Sequence, residues 1–229
     1  MKQQTKSDWK HTLPVFGTIK TAGRVYTDSP INGNFHQLRQ ADYGKGFRQG
    51  IFGEQLALVH KAYFNQGDAG ADNVVSVAGT LFISGNTAMK YIQDLVIVQD
   101  IPKVRNGRIV MDESKLIRKL SKNANKGVRF SDDGSIRAML YGFGTEWQDS
   151  QQMKNNPFPI LLTGDLEAGE KLAQIQDRIQ KKGYIWALGQ GINSVIRVPD
   201  LREFDGRLFL DGNIWDEFDD DRGSFGVRQ

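Results

Sequence analysis

The sequence predicts an α+β fold: a mixed, largely antiparallel sheet with hairpins and three to five helices, in a single compact domain over 1–229. Three observations predict it. Short runs rich in β-branched and aromatic residues are bounded by Gly, Asn, Asp and Pro. The dipeptides Asn106-Gly107 and Asp133-Gly134 stand between such runs, where a tight hairpin needs residues tolerant of positive φ. "GDLEAGEKLAQIQDRIQKKG" carries apolar side chains at helical spacing.

In chain order, residues 1–12 are polar and read as a flexible N-terminal segment. Three strands are expected across "VFGTIKTAGRVYT" and "NVVSVAGTLFIS". Between them "EQLALVHKAYF" is a helix with Leu56, Val59, Ala62 and Tyr63 on one stripe, closed by the turn residues of "NQGDAGADN". "QDLVIVQDIPKVRNGRIVMD" gives two strands around Asn106-Gly107, and "ESKLIRKLSKN" a short helix. "VRFSDDGSIRAMLYGF" is a hairpin turning on Asp133-Gly134, and "TEWQDSQQMKNNP" a helix stopping before Pro157. In the clearest helix Asp165 is the cap, Leu172, Ile175 and Ile179 are the buried stripe, and Gly183 is the stop. "YIWAL", "SVIRV" and "RLFL" are short strands, with Asp205-Gly206 and Asp211-Gly212 as turns.

A chain of 229 residues buries a core without staples. No apolar run approaches the ~18 residues of a membrane span, so no membrane partner is expected. "MKQQTKSDWKHT" leads into no apolar segment and does not read as a signal peptide, which predicts the cytoplasm or a particle assembled there. The absence of cysteine excludes disulfides, thiolate catalysis and iron–sulfur clusters. His11, His36 and His60 have no metal-ligand spacing, and no cofactor is expected. Met1 to Phe130 carries nineteen Lys and Arg against ten Asp and Glu, and Ser131 to Gln229 carries eleven against seventeen. Either the first half meets an anionic partner or the two halves neutralise each other.

"YGKGFRQGIFGE" is the densest candidate site. It lacks the glycine spacing of a dinucleotide fingerprint, and no Walker loop occurs in the chain. Lys45, Gly46, Phe47 and Phe52 match the stacking strand of an RNA-recognition motif, whereas Arg48, Gln49 and Gly50 do not. Backbone N–H groups, Lys45, Arg48 and the start of a helix favour an anion. The alternative is a turn whose Phe47 and Phe52 anchor in the core.

A second candidate is "KLIRKLSKNANKGVR". On one helix Lys115, Arg118, Lys119 and Lys122 form a basic face able to track phosphates, or an ordinary solvated face. Asp100 with Glu113 and Lys115 resembles the two-carboxylate and lysine set of Mg²⁺-dependent nucleases, but an acid two residues before a lysine occurs here as often as chance gives. Asp216, Asp219, Asp220 and Asp221 near the end offer oxygens to a hard cation without EF-hand spacing. They also read as a counter-surface for basic residues.

"GFRQGIFGEQLALV" resembles the G-[WF]-R-L-P-T-x-x-E-x-x-x-L entry into the first helix of sulfatase-modifying-factor-like domains, within the C-type-lectin-like class. It keeps Phe47, Arg48, Glu54 and Leu56 and has Gly50-Ile51 where the family has Pro-Thr. "RGSFGVRQ" is similar to that class's closing strand. The lectins' calcium motifs and the oxidase branch's cysteines are missing, so the resemblance implies a binding or assembly fold and no activity. The sequence reading is a non-catalytic binding or assembly protein with a protein partner or self-association. Its alternatives are a nucleic-acid-binding accessory protein and a Mg²⁺-dependent nuclease.

Overall fold

The computed structural model describes residues 18–21, 24–64, 70–92, 94–140, 146–186, 196–205, 207–211, 217–218 and 220–228. The N-terminal third holds β1 (Thr18–Thr21), β2 (Arg24–Thr27), β3 (Ile31–Asn32), α1 (Phe35–Gln40), β4 (Phe47–Gln49), α2 (Phe52–Phe64) and α3 (Ala71–Ala78). Five strands follow: β5 (Phe82–Ser84), β6 (Thr87–Ile92), β7 (Leu95–Asp100), β8 (Lys103–Arg105) and β9 (Arg108–Val110). Then come α4 (Glu113–Lys119), β10 (Leu120–Asn125), β11 (Val128–Ser131), β12 (Ile136–Leu140) and β13 (Glu146–Gln148). Helices α5 (Ser150–Asn155), α6 (Pro157–Thr163) and α7 (Ala168–Ile179) lead to β14 (Gly183–Trp186), β15 (Ile196–Arg197), β16 (Asp200–Phe204) and β17 (Arg207–Asp211). The strands β18 (Arg222–Ser224) and β19 (Gly226–Arg228) close the chain's described part. Residues 1–12, where a flexible segment is expected, lie outside it.

The strands form three larger sheets and one hairpin. A four-stranded sheet runs β1-β2-β19-β4, a six-stranded sheet β10-β11-β12-β7-β6-β15, and a seven-stranded sheet β13-β14-β17-β16-β5-β18-β3, while β8 pairs with β9. Among the described residues, only β14 with β17 and β18 with β5 are parallel. This is the expected α+β architecture.

Hairpin chemistry is where sequence and structure agree most closely. Asn106 and Gly107 both take positive φ (50° and 71°), which matches the right-handed twist of β8 and β9. Between β11 and β12 the Asp133 carboxylate accepts hydrogen bonds from Ser131, the Ser135 hydroxyl and the Ser135 N–H. These hold its pKa down at about 2. Because the folded value is depressed, the stabilisation is present above the unfolded value near 3.8 and lost as pH falls through 2. A stability gap between wild type and Asp133→Asn is therefore expected in denaturant melts at pH 5, closing towards pH 2. A gap independent of pH would refute this role.

Elsewhere tertiary packing overrides local preference. "NVVSVA" is not a strand but lies in α3, where Ala71, Val74 and Ala78 form one buried stripe facing α2, β5 and β16. The basic helix ends at Lys119, because Leu120 turns extended (ψ 137°) and residues 120–125 pair with β11 across a turn at Lys126-Gly127. Lys122 is thus on a strand, not on the helix with Lys115, Arg118 and Lys119. Helix α7 stops at Gln180 in the left-handed region (φ 56°), not at Gly183. Gly183 instead opens β14 pressed against Gln176 and Met153. Asp165 accepts from the Glu167 N–H one turn earlier than the helix proper. Helices α1, α3 and α6 add to those expected from the sequence.

The central strands of the six-stranded sheet, β12, β7 and β6, are buried on both faces, and their alternation sorts the core. Met89, Tyr91, Val96, Val98 and Met139 face the main core with α2, α3, α6 and α7, together with Ile83, Ile185, Leu201, Leu208 and Leu210 from the seven-stranded sheet. Ala88, Ile97, Ile136 and Ala138 face a smaller core with Phe35, Ile109, Met111 and Leu116. Among the described residues no helix is long and apolar enough to cross a membrane.

Candidate binding face

The glycine-rich stretch is spent on the fold. Gly44 and Gly46 take positive φ (92° and 80°) in the turn before β4, a region that costs other residues about 1–2 kcal/mol. Arg48 then crosses to Glu54 in the first turn of α2 with two hydrogen bonds of 2.9 Å, and Arg24 joins the same carboxylate at 2.6 Å. That bond to Glu54 is the first cause raising the Arg48 pKa. Burial first, and then the Glu54 carboxylate, push the Tyr26 phenol up to about 12. Glu54 also accepts the Ile51 N–H, and Thr87 Oγ1 accepts the Phe52 N–H. The anion that this helix start attracts is therefore the chain's own Glu54. Phe52 is fully buried and has no ring face to offer a base, Phe47 lies under the Arg228 guanidinium at 5.0 Å, and Lys45 is exposed on the turn.

The nuclease set is not brought together. Asp100 shares the main-core face of the six-stranded sheet with Val96 and Val98, and both its oxygens are taken by Arg137, with Thr87 donating to one at 2.7 Å. Glu113 pairs at 2.6 Å with Lys90, which alternates onto the opposite face beside Ala88. Strand alternation thus puts the sheet between the two carboxylates, which cannot share a metal ion. Lys115 pairs with Asp112, and Arg118 Nε donates to the Ser114 carbonyl. Lys115, Arg118 and Lys119 are exposed on α4, as a basic face requires.

At the acidic end, Asp216 and Asp219 lie outside the described residues. Asp220 accepts from Asn34, and the Asp221 carbonyl accepts the Phe82 N–H. The neighbouring Glu217 accepts the Ile109 N–H and faces His36 and Arg108 at 3.3 Å and 3.6 Å. This part of the acidic segment clasps basic first-half residues. Among the described residues no three His, Asp or Glu cluster as a metal site would require.

What the structure assembles instead is a row of rings on the outer face of the seven-stranded sheet. In β14, β16 and β17 the inward Ile185, Leu201, Leu208 and Leu210 alternate with outward Tyr184, Arg202 and Phe209. Register sets Trp147 opposite Tyr184, Tyr184 opposite Phe209, and Phe209 opposite Arg202. The rings touch in sequence, with centroids 4.7 Å apart for Trp147–Tyr184, 5.8 Å for Tyr184–Phe209 and 6.5 Å for Phe204–Phe209. Trp147 and Phe204 remain 42% and 55% exposed, a cost in apolar hydration that scattered single residues would not concentrate in one place.

Cations lace this row. The Arg202 guanidinium lies between Phe82 (4.6 Å) and Phe204 (4.7 Å), and Arg207 lies over Trp147 at 5.2 Å. Beside them a depression of about 590 Å³ is lined by Trp147, Gln180, Lys181, Lys182 and Arg207. Among the described residues, no carboxylate pairs with Arg202, Arg207, Lys181 or Lys182. Sequence reasoning placed "YIWAL" and "RLFL" on strands but missed the face, because strand adjacency is non-local. The available signal was the alternation of an aromatic or arginine with an aliphatic residue, in Tyr184-Ile185, Leu201-Arg202 and Arg207-Leu208-Phe209, with Trp147 and Phe204 on flanking strand positions. In comparison with known proteins, the chain matches no family model, no curated protein and no solved structure.

Proposed function

We propose that the chain is a non-catalytic binding protein whose working surface is the outer face of the seven-stranded sheet. The observation that carries this reading is the register-aligned row of Trp147, Tyr184, Phe209 and Arg202, continued by Phe204 and Arg207. The ligand has flat apolar rings and negative charge, since the face offers rings and cations not paired among the described residues. Among the described residues, the depression beside it is lined by no carboxylate, imidazole or hydroxyl to partner its lysines as an acid–base or nucleophilic site would need.

The test uses 1-anilinonaphthalene-8-sulfonate, which joins aromatic rings to one sulfonate. The folded chain is expected to bind it saturably with enhanced fluorescence. The double variant Trp147→Ala/Phe204→Ala is expected to lose most of that signal while melting within a few degrees of wild type, because both side chains are exposed. Undiminished binding in a folded double variant would place the surface elsewhere and overturn the reading.

A further inference from the structure

Resting on that reading, we propose that the ligand is single-stranded nucleic acid, with bases stacked on the aromatic row and phosphates running past Arg207, Lys181 and Lys182. Base stacking needs successive ring faces, and every base has one, so a contiguous set of rings recognises single strands with little regard to sequence. Four neighbouring strands, β13, β14, β17 and β16, carry Trp147, Tyr184, Phe209 and Phe204. At about 4.8 Å per strand the row spans roughly 14 Å. At the ~3.4 Å rise of a stacked strand, that accommodates about four nucleotides.

The charges favour the same occupant. Arg207 is placed both over the Trp147 ring and on the wall of the depression, where Lys181 and Lys182 stand too. A base on Trp147 would thus have cations beside its phosphate. These lysines follow the C-terminal end of α7, and three full positive charges outweigh the roughly half negative charge of a helix end. An adjoining depression is lined by Asp149, Ser150, Gln176 and Asp177 as well as Gln180, Lys181 and Lys182, and the Asp149 carboxylate accepts the Gln152 N–H in the first turn of α5. A duplex keeps its base faces inside its own stack, so the rings would have nothing to contact and only the cations would contribute.

The deciding experiment is fluorescence anisotropy with a labelled 12-nucleotide single strand, as DNA and as RNA, and with the corresponding duplex, at 50 and 200 mM KCl. The single strand is expected to bind more tightly than the duplex. Neutralising about three phosphates should weaken it roughly 20-fold between the two salt concentrations. Trp147→Ala should weaken binding about tenfold at both salts, and Trp147→Phe should restore most of it. Arg207→Gln should reduce the salt slope by about 0.7. Lys45→Ala and Lys119→Ala, on the glycine-rich turn and on α4, should leave binding unchanged. The proposal is overturned by absence of binding at 50 mM KCl, by equal duplex affinity, or by loss confined to the Lys45 and Lys119 variants. Full displacement by polyglutamate at equal charge would overturn it in favour of an acidic peptide. If the anilinonaphthalene sulfonate binds at Trp147 and no oligonucleotide does, this inference alone fails; if neither binds, the binding face fails with it.

Discussion

Replacing Arg137 by Met is expected to destabilise the protein by about 3–5 kcal/mol, because it leaves Asp100 buried without its counter-ion. Asp100 is 8% exposed and Arg137 1%. The guanidinium meets both carboxylate oxygens and also donates to the carbonyls of Leu161 and Leu162 at the end of α6 (2.7 and 3.1 Å). Thr87 links the same carboxylate to the Phe52 N–H at the start of α2. One buried polar chain therefore ties the beginning of one helix to the end of another through the six-stranded sheet. At roughly 2–4 °C per kcal/mol for a chain this long, the melting temperature should fall by about 10 °C. The double variant Asp100→Leu/Arg137→Met should recover part of the loss by removing the orphaned charge. It should not recover all of it, since the α6 carbonyls still lack their donor. Urea unfolding of the three variants tests this, and a single-variant loss below about 1 kcal/mol would refute the structural role assigned to the pair.

Gly53→Ala should be destabilising by about 2 kcal/mol or more, although alanine is favoured over glycine inside a helix by about 1 kcal/mol. A Cβ at this position would stand 2.3 Å from the Thr163 carbonyl oxygen and 3.2 Å from its carbon, both main-chain atoms at the end of α6. No flexible side chain can move aside, so the two helices must separate at the junction that Arg137 also secures. Gly46→Ala is the contrast. Its Cβ would meet nothing within 4 Å, and only the left-handed backbone (φ 80°) opposes it, at about 1–2 kcal/mol. Chemical denaturation of both variants separates close approach from backbone strain, and a stabilised Gly53→Ala protein would contradict the packing described.

The glycine-rich stretch shows how one local pattern admits two tertiary meanings. Its glycines, cations and following helix start are the parts of an anion site, and they do bind an anion. That anion is Glu54, six residues after Arg48, in the same chain. Asp100 tells the same story in reverse: it stands at the end of β7, and its partner is Arg137, 37 residues on and on a neighbouring strand. In each case the residue types were legible and the partner was not. The basic face of α4 was half legible. Lys115, Arg118 and Lys119 share an exposed helical face, whereas pairing of residues 120–125 with β11 removes Lys122 from it.

By itself the sequence determined the α+β class, the Asn106-Gly107 and Asp133-Gly134 hairpins, helices α2 and α7, and the exclusion of cysteine chemistry. Each of these follows from short-range physics: which residues tolerate positive φ, which side chains recur at 3.6, and which atoms exist at all. Tertiary structure alone decided that "NVVSVA" is helical, that Asp100 and Glu113 lie on opposite faces of a sheet, and that Trp147, Tyr184, Phe209, Phe204, Arg202 and Arg207 share one surface. The reason is that a strand's own sequence sets only its alternation. Which strand lies beside it, and which face is left to solvent, depend on how distant segments bury their apolar sides together.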